Sequence, residues 1–400
     1  MAGLYVHVPF CASRCIYCGF YSTIPTRQKD NGLTIEEQYV NALCNEMQLR
    51  ANELDEPIRS IYLGGGTPSQ LAYKSLQQIF STIKKVFHMT WNKNNSPLEI
   101  TMECNPDDVT DTFVRDLQKL PINRISMGVQ TFSDERLRFL HRRHTADEVE
   151  LAIKRLRKIG IHNISIDLMF GFRNETMNEW KSDIDRAIQL DVEHLSAYSL
   201  MYEEGTPLYQ LLKNGKVKEM DDELYRQMYD LLINSLTQAG YEHYEISNFA
   251  KLKPQRSNFK GQPSKVKDQS PFRSLHNSSY WHNIPYIGLG AAAHSYNNSK
   301  RSWNVADIKA YISALRDNKR PYDEEFIDED THYNDMIMTA LRTREGLQLS
   351  TLSEPYQDYL MRLAKPLIQQ NLLKEDDGRL HLTHNGIYVS DAIMSDLMKV

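Results

Sequence analysis

Short apolar runs alternate along this chain with longer stretches in which apolar residues recur at the spacing of a helix. The first run, residues 4–8, predicts a β-strand, and a later stretch predicts a helix with Thr34 as its N-cap. The predicted strands cover 4–8, 60–63, 98–103, 124–129, 163–170 and 194–200, and the predicted helices cover 34–54, 69–87 and 110–120, segments up to 159 and up to 190, and 221–239. Six consecutive strand–helix units predict an α/β fold with a parallel sheet and helices outside it. A doubly wound open sheet is the alternative.

Polar residues and glycines stand where these predicted strands end. The turn 64–69 (GGGTPS) follows the second strand, Glu103 and Gln130 end the next two, and Asp167 lies near the end of the fifth. In a βα barrel the C-terminal ends of the strands face one mouth. Each feature alone also has a structural explanation, as a tight turn or a cap. Together they predict that these residues line one cavity.

The chain changes character after the sixth strand. Residues 251–273 hold seven Lys and Arg against one Asp, with three prolines, and predict a flexible surface insertion. From about Asp323 the pattern predicts helix, followed by two short strands and a last helix, similar to a winged-helix module. The predicted division is therefore 1–250 for the barrel, 251–275 for the basic insertion, 276–320 for the final barrel elements and 321–400 for the C-terminal domain.

Composition and charge narrow the function. Hydrophobic residues make up 41% of the 400 residues and charged residues 25%, which is typical of a soluble globular protein. The sequence shows neither an apolar run of ~18 residues nor a secretory signal, so we expect a cytoplasmic protein with reduced cysteines. The formal net charge is -5 overall. This charge argues against nucleic acid as the partner.

Three of the five cysteines fall within eight residues, with the spacing C-x3-C-x2-C: Cys11, Cys15 and Cys18. Three thiolates and a distant His could hold zinc, and Cys15 with Cys18 could form a redox dithiol. A four-iron cluster is the third reading, in which three irons take a protein thiolate and one is left for another ligand. Cys44 and Cys104 are expected to be buried.

The cysteine pattern, with Tyr17 before its last cysteine, resembles the radical S-adenosylmethionine (SAM) superfamily. The segments YVHVPFC, GGGTP, MECNP, SMGVQTF, LHRRH and DLMFG resemble its oxygen-independent coproporphyrinogen III oxidase branch over nearly the whole chain, and IGLGAAAHS is similar to that branch's final barrel segment. The resemblance implies a [4Fe–4S] cluster whose open iron binds SAM, which is then cleaved reductively. It also implies a partial (βα)6 TIM-like barrel of the radical SAM type with a small C-terminal α+β winged-helix-like domain.

The resemblance assigns expected roles to residues that match the family's motifs. Cys11, Cys15 and Cys18 would hold the cluster. Tyr5 would contact SAM, Tyr17 would pack on the cluster, and the backbone of the glycine-rich turn would hold the methionine part. The residues implied for SAM are Tyr5, Tyr17, Gly65, Gly66, Thr67, Glu103, Gln130, Arg142 and Asp167.

Three departures from the dehydrogenases of this branch resemble instead their sister group, the HemW-type heme chaperones. Phe20 stands where the dehydrogenases have a fourth cysteine, only ten residues precede Cys11, and residues 276–281 read HNSSYW. The sister group implies a protein that binds heme and transfers it to heme proteins. His276 is then the expected iron ligand, with Tyr280 and Trp281 beside the porphyrin. The competing ligands are His7, His282 and His294, and the other interpretation is that His276 and Trp281 only plug the barrel bottom or the domain interface.

Two other functions stay open at this point. One is an anaerobic coproporphyrinogen III dehydrogenase that decarboxylates two propionates, and the other is a non-catalytic metal-binding scaffold. The expected partners are acceptor heme proteins and a reductant for the cluster, without nucleic acid. The sequence leaves open the acceptor's identity, the need for SAM cleavage, peripheral association with a membrane and the oligomeric state.

Overall fold

The computed structural model describes residues 1–26, 29–30, 32–54, 56–91, 98–253 and 270–399. One large mixed sheet with helices packed against it makes up most of the molecule, and a small sheet with its own helices follows. The strands are β1 (Ala2–Val8), β2 (Lys29–Asp30), β3 (Leu33–Thr34), β4 (Ile58–Gly65), β5 (Glu99–Cys104), β6 (Arg124–Gln130), β7 (Asn163–Phe170), β8 (His194–Ser199), β9 (Tyr241–Glu245), β10 (Asn248–Lys251), β11 (Tyr286–Leu289), β12 (His294–Tyr296), β13 (Lys300–Asn304), β14 (Tyr322–Phe326), β15 (Leu347–Gln348), β16 (Leu373–Asp376) and β17 (Arg379–Leu382). The helices are α1 (Ile35–Leu49), α2 (Tyr73–Val86), α3 (Asp111–Leu117), α4 (Asp134–Phe139), α5 (Ala146–Lys158), α6 (Met177–Gln189), α7 (Pro207–Lys213), α8 (Asp222–Gln238), α9 (Leu275–Trp281), α10 (Ile308–Arg316), α11 (Glu329–Ala340), α12 (Glu354–Gln369), α13 (His384–Ile387) and α14 (Ser390–Leu397).

The large sheet confirms the predicted row of parallel strands. Its order is β14-β13-β12-β11-β1-β4-β5-β6-β7-β8-β10-β9. The six predicted strands are β1 and β4 to β8, and each pairs in parallel with the next. β11 adds a further parallel strand on the other side of β1, and the outer strands at both ends run antiparallel.

Helix starts follow the capping signals of the sequence. Thr34 caps α1 as predicted: its side chain accepts from the backbone of Glu37, and the Glu37 carboxylate accepts from the backbone of Thr34. The same reciprocal arrangement starts α6, and at the start of α5 the Glu148 carboxylate accepts from the backbone and hydroxyl of Thr145. The apolar faces of these helices pack on the outer side of the sheet, where Leu4, Val6 and Leu63 are fully buried. Because side chains alternate along a strand, the intervening residues face the inside of the curved sheet.

The C-terminal part has a hydrophobic core of its own, which includes Tyr333, Ile337, Leu360 and Leu380. Its small sheet has the order β15-β17-β16. The helix predicted from about Asp323 is wrong at its start, because β14 forms there and belongs to the large sheet. Cross-strand ion pairs from Lys300 to Glu324 and from Arg301 to Glu325 favour this strand, and α11 begins only afterwards.

The predicted basic insertion, 251–275, is only partly described. Lys251 ends β10 and Leu275 begins α9, while residues 254–269 lie outside the described residues. Within the part of the chain that the structure covers, no helix is long and apolar enough to cross a membrane.

Candidate cofactor and ligand site

A cavity of about 690 Å³ opens at the C-terminal ends of the parallel strands. The loop after β1 forms one side of it, inward-facing residues of β4 to β8 form much of the rest, and residues of other loops and of α9 complete it. Most of the predicted site residues therefore meet at one place, as the positions after the strands indicated. The predicted residues that line it are Cys11, Cys15, Tyr17, Cys18, Gly65, Gly66, Thr67, Glu103, Gln130, Arg142 and Asp167.

The three cysteines of the first loop are free thiols, and all three line the cavity. Backbone hydrogen bonds fix the loop: Cys11 N donates to Thr23 O at 3.0 Å, and Thr23 N donates to Pro9 O at 2.7 Å. The Thr67 hydroxyl lies 3.5 Å from Cys11 Sγ. The loop thus presents its thiols toward the glycine-rich turn after β4.

Arg142 places a positive charge beside these thiols. Its Nη1 lies 3.5 Å from Cys15 Sγ, and its Nη2 donates to Asn105 Oδ1 and Gly128 O. Its Nε is buried without a hydrogen-bond partner among the described residues. A guanidinium in this position can balance negative charge on the sulfur ligands of a cluster, and it has a donor left for a ligand.

The donor set fits an iron–sulfur cluster. Burial raises the pKa of Cys18 to about 11, with a smaller contribution from the neighbouring thiols, so iron would have to compensate the buried negative charge. Among the described residues, no three His, Cys, Asp or Glu side chains converge on a single metal ion. A cluster does not require that convergence, because each thiolate binds a different iron.

The glycine-rich turn is shaped by its packing against β1. Gly65 has a φ of +104°, and a Cβ on it would collide with the His7 ring. A Cβ on Gly66 would lie 2.7 Å from Val8 O. The N–H groups of Gly65, Gly66 and Thr67 already donate to Glu103, Val8 O and Phe10 O. These three donors are therefore engaged within the protein, so the predicted backbone contact of this turn with SAM would have to use other backbone groups.

Two half-buried carboxyl groups, Glu103 and Asp167, lie on the inner face of the sheet. Glu103 accepts from the Tyr62 hydroxyl at 2.7 Å and from Gly65 N at 3.1 Å. Burial raises the pKa of Glu103 to about 7 and that of Asp167 to about 6. The cavity can thus hold either carboxyl neutral or charged near neutral pH, and Tyr62 is a lining residue that the sequence motifs missed.

Tyr5 does not line the cavity. Its hydroxyl bonds with His7 Nδ1 at 3.0 Å, and its ring lies 6.2 Å, centroid to centroid, from the rings of both Tyr62 and His276. His7 is equally enclosed, because its Nε2 bonds with Tyr21 O at 2.9 Å. The predicted contact of Tyr5 with SAM therefore stays a prediction, and Tyr5 lies outside the residues that line the cavity.

The HNSSYW segment lies at the opposite end of the sheet from the cysteines. It forms α9, whose first backbone N–H groups, those of Leu275 and His276, donate to Glu99 at the start of β5. The His276 ring is 2% exposed and bonds through Nδ1 with Ser60 Oγ and through Nε2 with the Tyr280 hydroxyl.

The structure therefore gives no support to the prediction of His276 as a heme ligand, which stays untested. Both ring nitrogens of His276 are occupied, and burial, together with the charge of Arg124, lowers its pKa to about 3. Trp281 packs under Arg342 at 5.0 Å, toward the C-terminal domain. The alternative of a plug at the barrel bottom describes these residues better. His282 and His294 are exposed and lie outside the cavity lining, while Asn277 of α9 reaches it.

Apolar side chains lie exposed at the rim of the cavity. Phe20, Tyr198 and Met201 line it and are 70%, 40% and 58% exposed, respectively. Solvent-exposed aromatic and methionine side chains at a cavity commonly mark a surface that binds an apolar ligand. Sequence motifs assigned Phe20 only as a missing cysteine, and they assigned Met201 no role.

Comparison with known proteins gives consistent results. The sequence profile of the radical SAM superfamily matches residues 5–187, and that of the HemN C-terminal domain matches residues 327–389. The heme chaperone HemW of Bacillus subtilis (strain 168) is 33% identical over 96% of this chain and 96% of its own length. That of Lactococcus lactis subsp. lactis (strain IL1403) is 30% identical over 98% and 96%. The solved coproporphyrinogen III oxidase HemN of Escherichia coli superposes with a TM-score of 0.79 at 21% identity, covering 100% of this chain and 90% of that one, and so shares the fold.

Proposed function

This chain belongs to the HemW family of radical SAM proteins, and from that premise we propose that it is a heme chaperone. It binds heme and transfers it to acceptor heme proteins, and it carries a [4Fe–4S] cluster and SAM. The family assignment rests on similarity over the full length of curated heme chaperones. Fold similarity to an oxidase does not distinguish a chaperone from an enzyme, since one fold serves several functions.

The observation that carries the proposal is the rim beside the cysteine loop. Where the related oxidases are expected to have a fourth thiol, Phe20 exposes its ring, and Met201 is exposed at the same cavity. Heme is a wide, flat, apolar ring with two acidic arms, and Phe, Tyr and Met are side chains that pack well on such a face. We place heme at this rim rather than at α9, where His276 has no free ring nitrogen.

The cofactors would occupy the inner part of the same cavity. Cys11, Cys15 and Cys18 would hold the cluster, which supplies an electron for reductive cleavage of SAM. Arg142 would stabilise the charge of the thiolates, because its Nη1 lies beside Cys15. The residues proposed to contact the cluster or SAM are Tyr17, Gly65, Gly66, Thr67, Glu103, Gln130, Arg142 and Asp167.

The proposal includes partners whose chemistry follows from this function. An acceptor heme protein receives the heme, and a reductant supplies the cluster with an electron. We propose a cytoplasmic site of action, in keeping with free rather than paired cysteines.

The test is an anaerobic preparation with a reconstituted cluster, divided among three assays. Hemin binding is followed by the Soret absorbance, transfer by the same band on an apo heme protein, and oxidase activity by carbon dioxide released from coproporphyrinogen III. We expect binding and transfer without carbon dioxide. Many turnovers of decarboxylation per chain would establish the dehydrogenase instead.

Matched variants locate the heme. Phe20→Glu with Met201→Glu introduces charge at the rim and should weaken hemin binding about tenfold or more, because removing apolar packing and placing a charge against the porphyrin together cost ~1.4 kcal/mol or more. Leu151→Glu with Val389→Glu, which changes two exposed apolar residues outside the cavity lining, is the control and should bind hemin normally. Normal binding by the rim variant would place heme elsewhere.

A further inference from the structure

Each cysteine of the first loop has a hydrogen-bond donor beside its sulfur, and each donor comes from a different part of the chain. The Thr67 hydroxyl, in the turn after β4, lies 3.5 Å from Cys11 Sγ. The guanidinium of Arg142, which follows α4, lies with Nη1 3.5 Å from Cys15 Sγ. Both distances suit hydrogen bonds to sulfur, a weak acceptor that is larger than oxygen.

The third sulfur, that of Cys18, faces the main chain. Burial raises the pKa of this thiol, and its contact with the backbone N–H of Phe20 opposes the rise. Because this donor belongs to the backbone, it does not depend on the side chain at position 20. The three sulfurs thus face a hydroxyl, a guanidinium and a backbone amide.

A hydroxyl beside a thiol is ordinary in itself. The Thr82 hydroxyl of α2 lies 3.3 Å from the sulfur of Cys44, which is buried in the hydrophobic core. The loop differs because a donor reaches every one of its sulfurs, and the protein holds these donors in place. Thr67 is buried, and the Arg142 guanidinium also donates to Asn105 Oδ1 and to the backbone of β6.

We propose that these donors set the reduction potential of the [4Fe–4S] cluster that the three cysteines would hold. On reduction the cluster takes up one electron from a one-electron reductant, and part of the added negative charge falls on its sulfur ligands. Donors aimed at those sulfurs stabilise the reduced state more than the oxidised state, so they raise the potential. This role rests on the proposed function because it requires the cluster, and it gives the Thr67 side chain a task separate from any backbone contact with SAM.

Two variants with matched controls test this role. Thr67→Val replaces the hydroxyl with a methyl group of similar size, whereas Thr67→Ser keeps the hydroxyl. Arg142→Met removes both the donor and the charge, whereas Arg142→Lys keeps the charge. Arg14→Met removes an exposed charge that acts on Cys18 but makes no hydrogen bond with a sulfur among the described residues. The potential of each reconstituted protein is measured without SAM by anaerobic titration, followed by the EPR signal of the reduced cluster, and iron content is determined alongside.

We expect Thr67→Val to lower the equilibrium constant for reduction about three- to tenfold, where tenfold corresponds to about 59 mV for one electron. Arg142→Met should lower it about 10- to 100-fold, because a charged donor contributes more than a neutral one. Thr67→Ser should match wild type, and Arg142→Lys should fall in between. Arg14→Met should change the constant less than about twofold, because water and salt screen an exposed charge. A variant that takes up less iron still gives a potential, since the titration reads only the loaded fraction.

Potentials of Thr67→Val and Arg142→Met that equal that of wild type would overturn this role and leave the cluster itself standing. Equal shifts in Thr67→Val and Thr67→Ser would also overturn it, because repacking would then explain both. Equal shifts in Arg142→Met and Arg14→Met would do so as well, because charge alone would then suffice. A wild type that takes up no iron would overturn the proposed cluster and this role together, while hemin binding and transfer, which are measured separately, would still test the chaperone proposal.

Discussion

The surroundings of the cavity shift the pKa values of several single residues, and Glu103 is the clearest case. Its carboxyl accepts two hydrogen bonds, yet burial outweighs them and raises its pKa from 4.5 to about 7. Ionising it therefore costs folding free energy. The cysteines also differ in their surroundings. Cys11, Cys15 and Cys18 line the cavity, whereas Cys44 is buried in the hydrophobic core and does not line it.

The pH dependence of the free energy of unfolding should show the cost of ionising Glu103 in the folded protein. Between pH 4.5 and 7 the folded protein holds this proton while the unfolded chain releases it, so the free energy of unfolding falls as pH rises through that window. Glu103→Gln carries no such charge, and without ligands it should gain ~1–2 kcal/mol relative to wild type at about pH 8 but not at about pH 4.5. Chemical denaturation at both pH values measures this difference. A difference that does not change with pH would contradict the pKa shift of Glu103.

The iron content of cysteine variants should distinguish the cysteines that bind the proposed cluster from the other cysteines. Cys15→Ala removes one thiolate of the proposed cluster and should leave the reconstituted protein with little iron and sulfide. Cys44→Ala keeps the loop intact and should retain a full complement of iron, with a loss of ~1–2 kcal/mol in stability from the small cavity created in the core. Colorimetric iron and sulfide analysis checks both variants. Four irons per chain in Cys15→Ala would refute the assignment.

At the scale of secondary-structure elements, the sequence predicted the repeated strand–helix units and the start of α1, which has a clear capping motif. Six parallel strands followed from alternating periodicities, and α1 starts at its predicted cap because Thr34 and Glu37 satisfy each other's backbone groups. β14 was missed because its five side chains are all exposed, so no apolar alternation marks it, and its stability depends on pairing with β13, which includes the ion pairs of Lys300 and Arg301.

The candidate site was likewise predicted only in part from the sequence. Motifs found the cysteines and the residues after the strands, but Arg124 and Tyr62 lie within strands whose inner face becomes visible only when the sheet curves around a cavity. The role of HNSSYW could not be read from composition, since a histidine beside aromatic residues can either bind iron or pack. Its location at the far end of the strands, with both nitrogens of His276 bonded, depends on contacts across more than 200 residues of sequence.

The role of α9 can be tested by a stability measurement. His276→Ala leaves the hydroxyls of Ser60 and Tyr280 without this partner and creates a small cavity, so it should cost ~2–4 kcal/mol of unfolding free energy. His282→Ala removes an exposed ring from the same helix end and should cost less than ~0.5 kcal/mol. Denaturant unfolding gives both values. Hemin affinity of the folded His276→Ala protein should equal that of wild type, and a specific loss would return the heme to α9.

On the scale of the whole molecule, ion pairs join the large sheet to the C-terminal part. Glu242 of β9 is 5% exposed and accepts from Arg273 and from Arg344, which lies between α11 and β15. Asp230 of α8 similarly accepts from His384 and from the Tyr388 hydroxyl. These contacts fix the C-terminal part against the side of the sheet where α9 packs.

Glu242 should therefore contribute strongly to the stability of the contact between the large sheet and the C-terminal part. Burial raises its pKa, but the bonds from Arg273 and the backbone of Ser270 outweigh burial, so the net shift is downward. Its stabilisation is present above pH 4.5 and is lost as pH falls through the lowered pKa. Glu242→Gln should cost ~2–3 kcal/mol at about pH 7 by leaving two arginines poorly paired. Hydrogen exchange should speed up in 341–348 and 241–245, whereas exposed Glu150→Gln, whose Lys154 partner is also exposed, should change neither segment.

The large sheet ends at β14 on one side and at β9 on the other, and these two strands do not pair with each other. In a closed ring of strands the girth is fixed by strand number and stagger, so widening it means breaking hydrogen bonds. An open sheet has no such limit, because a small change of curvature can be shared among all neighbouring strand pairs while each keeps its bonds. In a protein proposed to bind heme, such bending would widen the mouth of the cavity. The ligand would then leave without any loss of hydrogen bonds between the strands.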